Sequence, residues 1–465
     1  MAYETRDATA LASLVRRGEV SPLELLQAAL ERAEAWEALN ALTLLSREAA
    51  ERAIERGLPE GPLRGVPFLL KDLGAETRRW PSNLGSRVFA NTTYSYDSTL
   101  VTRLDLAGLV TFGRTTAPEF GIGVATEAAV YGGPTLNPWN RDRTPGGSSG
   151  GAAAAVAAGI VPAAHGSDGG GSVRIPASCC GLFGFKPSRG LMPDGPEGGE
   201  GWGGMATDGF LTRSVRDGAL LLDVSAGADG RAPYAPPALP GSFCEALAIP
   251  STPLRIALCD TTLTGEPISG PCRDAARDVG RLLEAMGHHV EEARPDADVA
   301  AMMKAWVTIV ACGTALVMEG RDESKLEPVA RDAVRVGREV SGLRYLAAIE
   351  TVHAFGRDMA RFLERHDMLV TATLAEPPAR IGRFDHGGED YREFRERVFE
   401  YSPFCAAFNA SGQPAASVPL HRHAGLPIGV HLAMGFGRDL ELMRLCGELE
   451  RAKPWADHLP VKRQT

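Results

Sequence analysis

Two serines set among glycines constrain this chain more than any other feature. The first lies in Thr144-Pro145-Gly146-Gly147-Ser148-Ser149-Gly150-Gly151, at the head of an alanine run. The second lies in Ser167-Asp168-Gly169-Gly170-Gly171-Ser172-Val173-Arg174-Ile175-Pro176. Glycines this dense require a positive φ or a very close approach of the backbone to something else. They also present consecutive N–H groups free of side chains, from which an anion nest or oxyanion hole is built. The alanine run between Gly150 and Gly159 reads as a buried, close-packed helix, which places the Ser148 cluster at its positive end.

Composition narrows the class. With 465 residues and 44% hydrophobic content, the chain can bury the core of one large α/β domain or of two to three ordinary ones, and without an internal repeat or a clear linker one domain is expected. A net charge of −9 and a pI near 5.7 argue against a nucleic-acid surface. By this reading no apolar run approaches the roughly 18–20 residues of a membrane span, and the polar N-terminus resembles no secretory or transit signal. The eight cysteines are scattered without a C-x-x-C, so free thiols and a cytoplasmic location are expected. No H-E-x-x-H or Cys/His cluster occurs, and neither a metal nor a cofactor is expected. The expected partner is a small molecule, with no nucleic acid and no membrane, and the chain is expected as a monomer or homodimer.

Helices are expected over 8–17, 21–36 and 46–56; Ser21-Pro22-Leu23-Glu24 forms a capping box with proline at the first helical position. Gly65 to Asp72 reads as a short apolar strand ending in Lys71-Asp72. A helix over 97–107 and a strand over 109–113 continue in the β-α-β rhythm of a wound sheet. The glycine-rich segment 193–206 is expected as a long mobile loop, with a substrate-covering lid as one hypothesis. A second β-α-β stretch spans 254–294, three helices fill 300–365, and 404–409, 415–419 and 428–433 are expected to return the chain to the sheet before a closing helix over 439–451.

Only six of the 49 basic residues are lysines (71, 186, 304, 325, 453 and 462), so a lysine inside an apolar strand draws attention. Burial can hold such an amine neutral and make it a base. Gly146-Gly147-Ser148-Ser149-Gly150 also matches the G-x-S-x-G elbow of α/β-hydrolases, for which His421, His423 and His431 are late enough in the chain to serve. That elbow leaves Ser172 and Lys71 unexplained. A Ser–Ser–Lys relay uses all three: Ser172 as nucleophile, Ser148 passing the proton, Lys71 receiving it, and the N–H groups of Gly169, Gly170, Gly171 and Ser172 holding the oxyanion.

The residues that carry this chemistry resemble the amidase signature family. The similar stretches are Gly61-Pro62-Leu63-Arg64-Gly65-Val66-Pro67 through Lys71-Asp72, Asn137-Pro138-Trp139, Pro145 to Gly151, Asp168 to Pro176, and Gly181-Leu182-Phe183-Gly184-Phe185-Lys186-Pro187. Weaker similarity continues through Leu211 to Val215, Asn409 to Ala415 and Gly425 to Gly429. The resemblance implies a single α/β domain with a mixed central sheet flanked by helices on both faces. It would comprise 1–465, with N-terminal helices over 1–57, a signature core over 61–215, and the remaining sheet and outer helices over 216–465. It implies Lys71 as base, Ser148 as bridging serine after a cis peptide bond, Ser172 as nucleophile, and Ser149, Asp168 and Arg174 as structural supports.

Many members carry Thr or Ile where Gly169 stands, and three glycines suggest a roomier or more flexible loop. His165 to Asp168, Ser172 to Cys179 and Cys312 look most like the 6-aminohexanoate cyclic-dimer hydrolases and related urethane-cleaving members. Phe120, Trp202, Met205 and Cys312 are candidate pocket residues, and an apolar rim of Phe120, Trp202, Met205 and Phe210 leans toward uncharged substrates. The expected activity is an amidase acting on aryl amides, oligoamides or carbamates through an acyl-enzyme, with possible esterase side activity. The alternatives are an amidotransferase-type subunit delivering ammonia to a partner, and a non-catalytic scaffold.

Overall fold

The Ser21 hydroxyl accepts the Glu24 N–H at 3.2 Å, and the Glu24 carboxylate accepts the Ser21 N–H at 2.7 Å. This reciprocal cap starts the second of three N-terminal helices, α1 (Ala8–Arg16), α2 (Pro22–Ala35) and α3 (Arg47–Glu55). The computed structural model describes residues 3–227, 229–388 and 390–460. The outer ends of the unit expected over 1–465 lie outside them, as does residue 228 of the connector after the first half.

Among the described residues, eleven strands form two sheets. They are β1 (Leu42–Thr43), β2 (Pro67–Lys71), β3 (Val110–Thr115), β4 (Ala163–Asp168), β5 (Phe183–Lys186), β6 (Thr207–Thr212), β7 (Arg255–Leu258), β8 (His289–Glu292), β9 (Met368–Ala372), β10 (Ala415–His423) and β11 (Leu426–Met434). The larger sheet runs β4-β6-β5-β10-β11-β9-β7-β8. It is antiparallel from β4 to β9 and parallel from β9 to β8. This is a single α/β domain with a mixed central sheet flanked by helices.

The first β-α-β unit departs from expectation. β2 and β3 pair in parallel across α4 (Thr99–Leu106), but with β1 they form a separate sheet of order β1-β3-β2. β2 lies beside β4, where the Lys71 N–H finds the His165 Nδ1 at 3.2 Å in place of a carbonyl. One side chain therefore stands where a ladder would otherwise join the sheets.

Several further elements position the site. α5 (Gly150–Ala157) is buried along its whole length. A methyl group at Gly151 would lie 2.5 Å from the Thr116 nitrogen, so only glycine lets this helix seat against the end of β3. α6 (Arg174–Cys180) follows the second serine directly; it is short and contains Pro176, so it carries no helical period to read. The strand β6 begins just after the segment expected as a long loop, where the sequence reading placed no strand. α7 (Val215–Ser225), α8 (Phe243–Ala246), α9 (Gly270–Ala285), α10 (Val299–Val317), α11 (Pro328–Arg338) and α12 (Gly342–Arg365) follow as outer and packing helices.

α10 corrects the expectation about apolar runs, since it is long and apolar enough to cross a membrane by length and composition. Here Met302, Trp306, Ile309 and Val310 on it are buried inside the protein. α13 (Tyr391–Tyr401) and α14 (Cys405–Ser411) precede β10, and α15 (Asp439–Ala452) closes the chain. α14 falls where a strand was expected. A short buried apolar run fits either element, and its Ala-rich sequence ending at Gly412 (φ 79°) takes the helix. The glycine-rich segment is pinned: Gly195 O accepts the Thr99 N–H at 2.8 Å and Gly204 O accepts Arg189 Nε at 2.6 Å.

Arg114 on β3 fixes the end of β2. Fully buried, its guanidinium donates to the carbonyls of Lys71 (2.7 Å), Pro81 (2.7 Å) and Ala75 (3.1 Å). Replacing it with Met strands these buried acceptors. The expected loss of stability is about 3 kcal/mol, read by urea unfolding, and no change in the urea midpoint would contradict this role.

Candidate active site

The site begins at the last residue of β2. Lys71 is fully buried, and its Nζ lies 2.7 Å from Ser148 Oγ and 3.0 Å from Ser167 Oγ. Burial pushes its pKa down to about 7, against the opposing pull of the Asp168 and Asp208 carboxylates. Ser148 follows a cis Gly147–Ser148 peptide, and the turn is held by the Thr126 hydroxyl donating to Gly146 O at 2.9 Å. Lys186 is also buried and also pushed down by burial, but its Nζ donates to Pro187 O at 2.7 Å. Scarcity and burial therefore do not separate the two lysines; contact with the serines does.

β4 delivers Asp168 and the second glycine loop. The Asp168 carboxylate receives a bidentate pair from Arg174 (2.9 and 2.8 Å), the Gly171 N–H (2.7 Å), the Val173 N–H (3.2 Å) and Asn409 Nδ2 (3.0 Å). Burial would raise this carboxyl, but Arg174 and Asn409 hold it well below the usual carboxylate range. Gly171 has φ 122°, and a methyl there would lie 2.6 Å from Cys405 Cβ. Its N–H is spent on Asp168, which corrects the four-donor oxyanion nest: among the described residues the N–H groups of Gly169, Gly170 and Ser172 take no internal acceptor.

Ser149 joins the two loops. Its N–H donates to Ser172 O at 3.2 Å, and its hydroxyl bridges the Ser167 carbonyl and N–H, both at 3.3 Å. Lys71 and Ser148 thus meet directly, while Ser172 is tied to them through the backbone; no internal hydrogen bond to its half-buried hydroxyl occurs among the described residues.

Ser172 and Gly170 open into a narrow cleft walled by Trp202, Trp306, Phe399 and Arg395. Of the candidate pocket residues only Trp202 lines it. Phe120 is buried edge-on against Phe89 at 5.7 Å. Met205 is buried, and its carbonyl accepts Asn409 Nδ2 at 3.0 Å. The Cys312 thiol turns toward Gly337 O of α11 at 3.8 Å. Phe210 packs between Phe68 and His165.

The loop at Gly169 is not roomy. A methyl there would lie 2.4 Å from the Trp202 ring, and Trp306 Nε1 donates to Gly169 O at 3.1 Å. The space that a Thr or Ile would need is filled by an indole. Sequence reasoning missed Ser167, Asn409, Trp306, Phe399 and Arg395. The last two recur at helical spacing on α13 with Tyr391, Phe394 and Val398, a period legible in the chain.

The elbow reading finds no base. His431 Nε2 faces Arg174 Nη1 at 2.9 Å, and burial holds its pKa well below the ordinary value. His421 pairs with Asp278 at 3.0 Å, and His423 is exposed at the end of β10. None of the three touches Ser148. Glu119, Glu327 and His386 gather close enough to hold a cation. The two carboxylates, however, are already bound by the Ser86 hydroxyl and the N–H groups of Glu327 and Ala129.

Comparison with known proteins agrees with this geometry. Residues 24–443 match the sequence profile of the family described as Amidase. The chain is 35% identical over 479 residues to the 6-aminohexanoate-cyclic-dimer hydrolase of Paenarthrobacter ureafaciens, covering 98% of this chain and 96% of that protein. It superposes with a TM-score of 0.93 on a 6-aminohexanoate cyclic dimer hydrolase solved in complex with substrate, at 34% identity over 98% of this chain and 99% of the other. A bacterial aryl acylamidase of the amidase signature enzymes superposes with a TM-score of 0.88, at 30% identity over 99% of both chains.

The contact between Gly169 and Trp202 yields a test. Gly169→Thr should cost about 1–3 kcal/mol by overpacking against the indole, and Trp202→Ala in the same chain should recover most of it. Thermal unfolding of the single and double variants reads the coupling, and additive losses would refute the contact.

Proposed function

The chain belongs to the amidase family and is a hydrolase of amide carbon–nitrogen bonds; from that premise we propose that Ser172, Ser148 and Lys71 carry the reaction. Ser172 Oγ attacks the scissile carbonyl carbon. Its proton passes to Ser148 Oγ, whose own proton passes to the neutral Lys71 amine. The N–H groups of Gly169, Gly170 and Ser172 hold the oxygen that becomes negative in the tetrahedral intermediate. On collapse the C–N bond breaks and the leaving amine takes the proton back through Ser148. Water then attacks the acyl-enzyme by the same relay, releasing the acid and restoring Ser172.

The observation that carries this reading is the 2.7 Å contact between Ser148 Oγ and a buried lysine whose pKa lies at about 7. A serine hydroxyl is a poor nucleophile until a base takes its proton, and an ammonium near 10.4 cannot serve at neutral pH. The Trp202, Trp306 and Phe399 walls suit aryl amides and oligoamides. Aryl carbamates belong to the same proposal, since the attacked carbonyl is equally exposed to the oxyanion donors. The eight unpaired cysteines support a cytoplasmic enzyme.

Two outcomes are expected. A phosphonate probe should label Ser172, as read by peptide mapping, and labelling should vanish in Lys71→Ala. Ser172→Ala should lower kcat at least about 10³-fold, whereas labelling of Ser148 would overturn the assignment. Lys71 serves only when neutral, so kcat/KM should be flat above the pKa of about 7 and fall as pH drops through it. A profile flat down to pH 5 would exclude Lys71 as the base.

A further inference from the structure

Arg395 on α13 is 3% exposed and lines the cleft that holds Ser172. Its guanidinium carbon lies 4.8 Å from the Trp306 ring centroid and 5.0 Å from that of Tyr391. Such stacking offsets only part of the cost of taking a cation out of water. The other deeply buried arginines near the site are saturated: Arg174 binds Asp168, Asn409 and the Cys405 carbonyl, and Arg114 binds backbone carbonyls. Arg395 differs. The Tyr391 hydroxyl bears on the guanidinium, but among the described residues its buried Nε and Nη2 find no acceptor in good hydrogen-bond geometry, and no carboxylate pairs with it. These two nitrogens form one edge of the planar fork, the edge that takes a carboxylate through two parallel hydrogen bonds.

We propose that Arg395 is a specificity-determining residue that docks a substrate carboxylate, so that the preferred substrates are amides carrying a free carboxylate away from the scissile bond. This rests on the reading of Ser172 as the nucleophile of the same cleft. A carbonyl oxygen would satisfy the hydrogen bonds but leave the charge uncompensated. An anion does both, and among the described residues none pairs with it. Trp202, Trp306 and Phe399 would flank the apolar spacer between the amide and the carboxylate, with the buried Ser402 on the same wall. The lean toward uncharged substrates drawn from an apolar rim is thereby reversed: three of the residues behind it, Phe120, Met205 and Phe210, do not line the cleft, while a cation does.

The test uses a matched pair, the mono-4-nitroanilide of glutaric acid and its methyl ester. Wild-type enzyme should favour the acid over the ester in kcat/KM by about thirtyfold, as expected for a desolvated charge-assisted pair. Arg395→Met should bring that ratio to about one, and Arg395→Lys, which keeps the charge but loses the fork, should lie between. A wild-type ratio near or below one overturns the proposal whether or not the variants fold, as does an unchanged ratio in Arg395→Met. Calorimetry on Ser172→Ala separates the two readings. Tighter binding of the acid without wild-type turnover keeps the docking role and removes the nucleophile. Turnover of both compounds with equal binding keeps the nucleophile and removes the docking role.

Discussion

The Asp168–Arg174 pair is the contact on which the rest of the centre depends. Both side chains are fully buried. Two charges taken out of water repay their desolvation only when every remaining donor and acceptor is filled. That condition reaches far across the chain. It draws Gly171 and Val173 of the Ser172 loop onto the carboxylate, and Asn409, the Cys405 carbonyl and His431 onto the guanidinium. The loop around Ser172 is therefore shaped by residues more than two hundred positions away, and α6, α14 and β11 are fastened at one point.

The same pair governs the lysine. Asp168 is one of the two carboxylates that pull the Lys71 pKa upward, yet its charge is answered by Arg174, so desolvation prevails and the amine lies at about 7. Arg114 and His165 then fix where that amine sits, by gripping the backbone of β2 on either side of Lys71. A cation held neutral by burial and a cation held charged by its partner are two answers to one low-dielectric environment. Arg395 is a third case, a buried charge lining the cleft with the Trp306 and Tyr391 rings stacked beside it.

The aromatic wall explains why the glycines are where they are. Trp202 meets Trp306 edge-on at 5.8 Å, and Trp306 meets Phe399 at 5.6 Å. Trp202 presses on Gly169 closely enough that a side chain there would collide, and a methyl at Gly170 would lie 3.0 Å from the Trp306 ring. The glycines thus serve packing, and the loop they form is tight.

How much was legible follows the range of the forces involved. The capping box at Ser21, the alanine helix after Ser149, the two serines and the acid and arginine around them are local or motif-bound, so the chain's own order determined them and with them the family and its fold. Short apolar runs such as 405–411 were undetermined, because a buried helix and a buried strand share the same composition. The pocket was decided only in three dimensions. Whether Phe120, Met205 and Cys312 or Trp306, Phe399 and Arg395 face Ser172 depends on which faces of α10 and α13 turn inward, and that is set by packing against loops distant in sequence. The sequence by itself determined the two serine motifs and the lysine read with them; tertiary structure decided which side chains surround them, because the motif residues are placed by short-range backbone demands and the cleft by long-range burial.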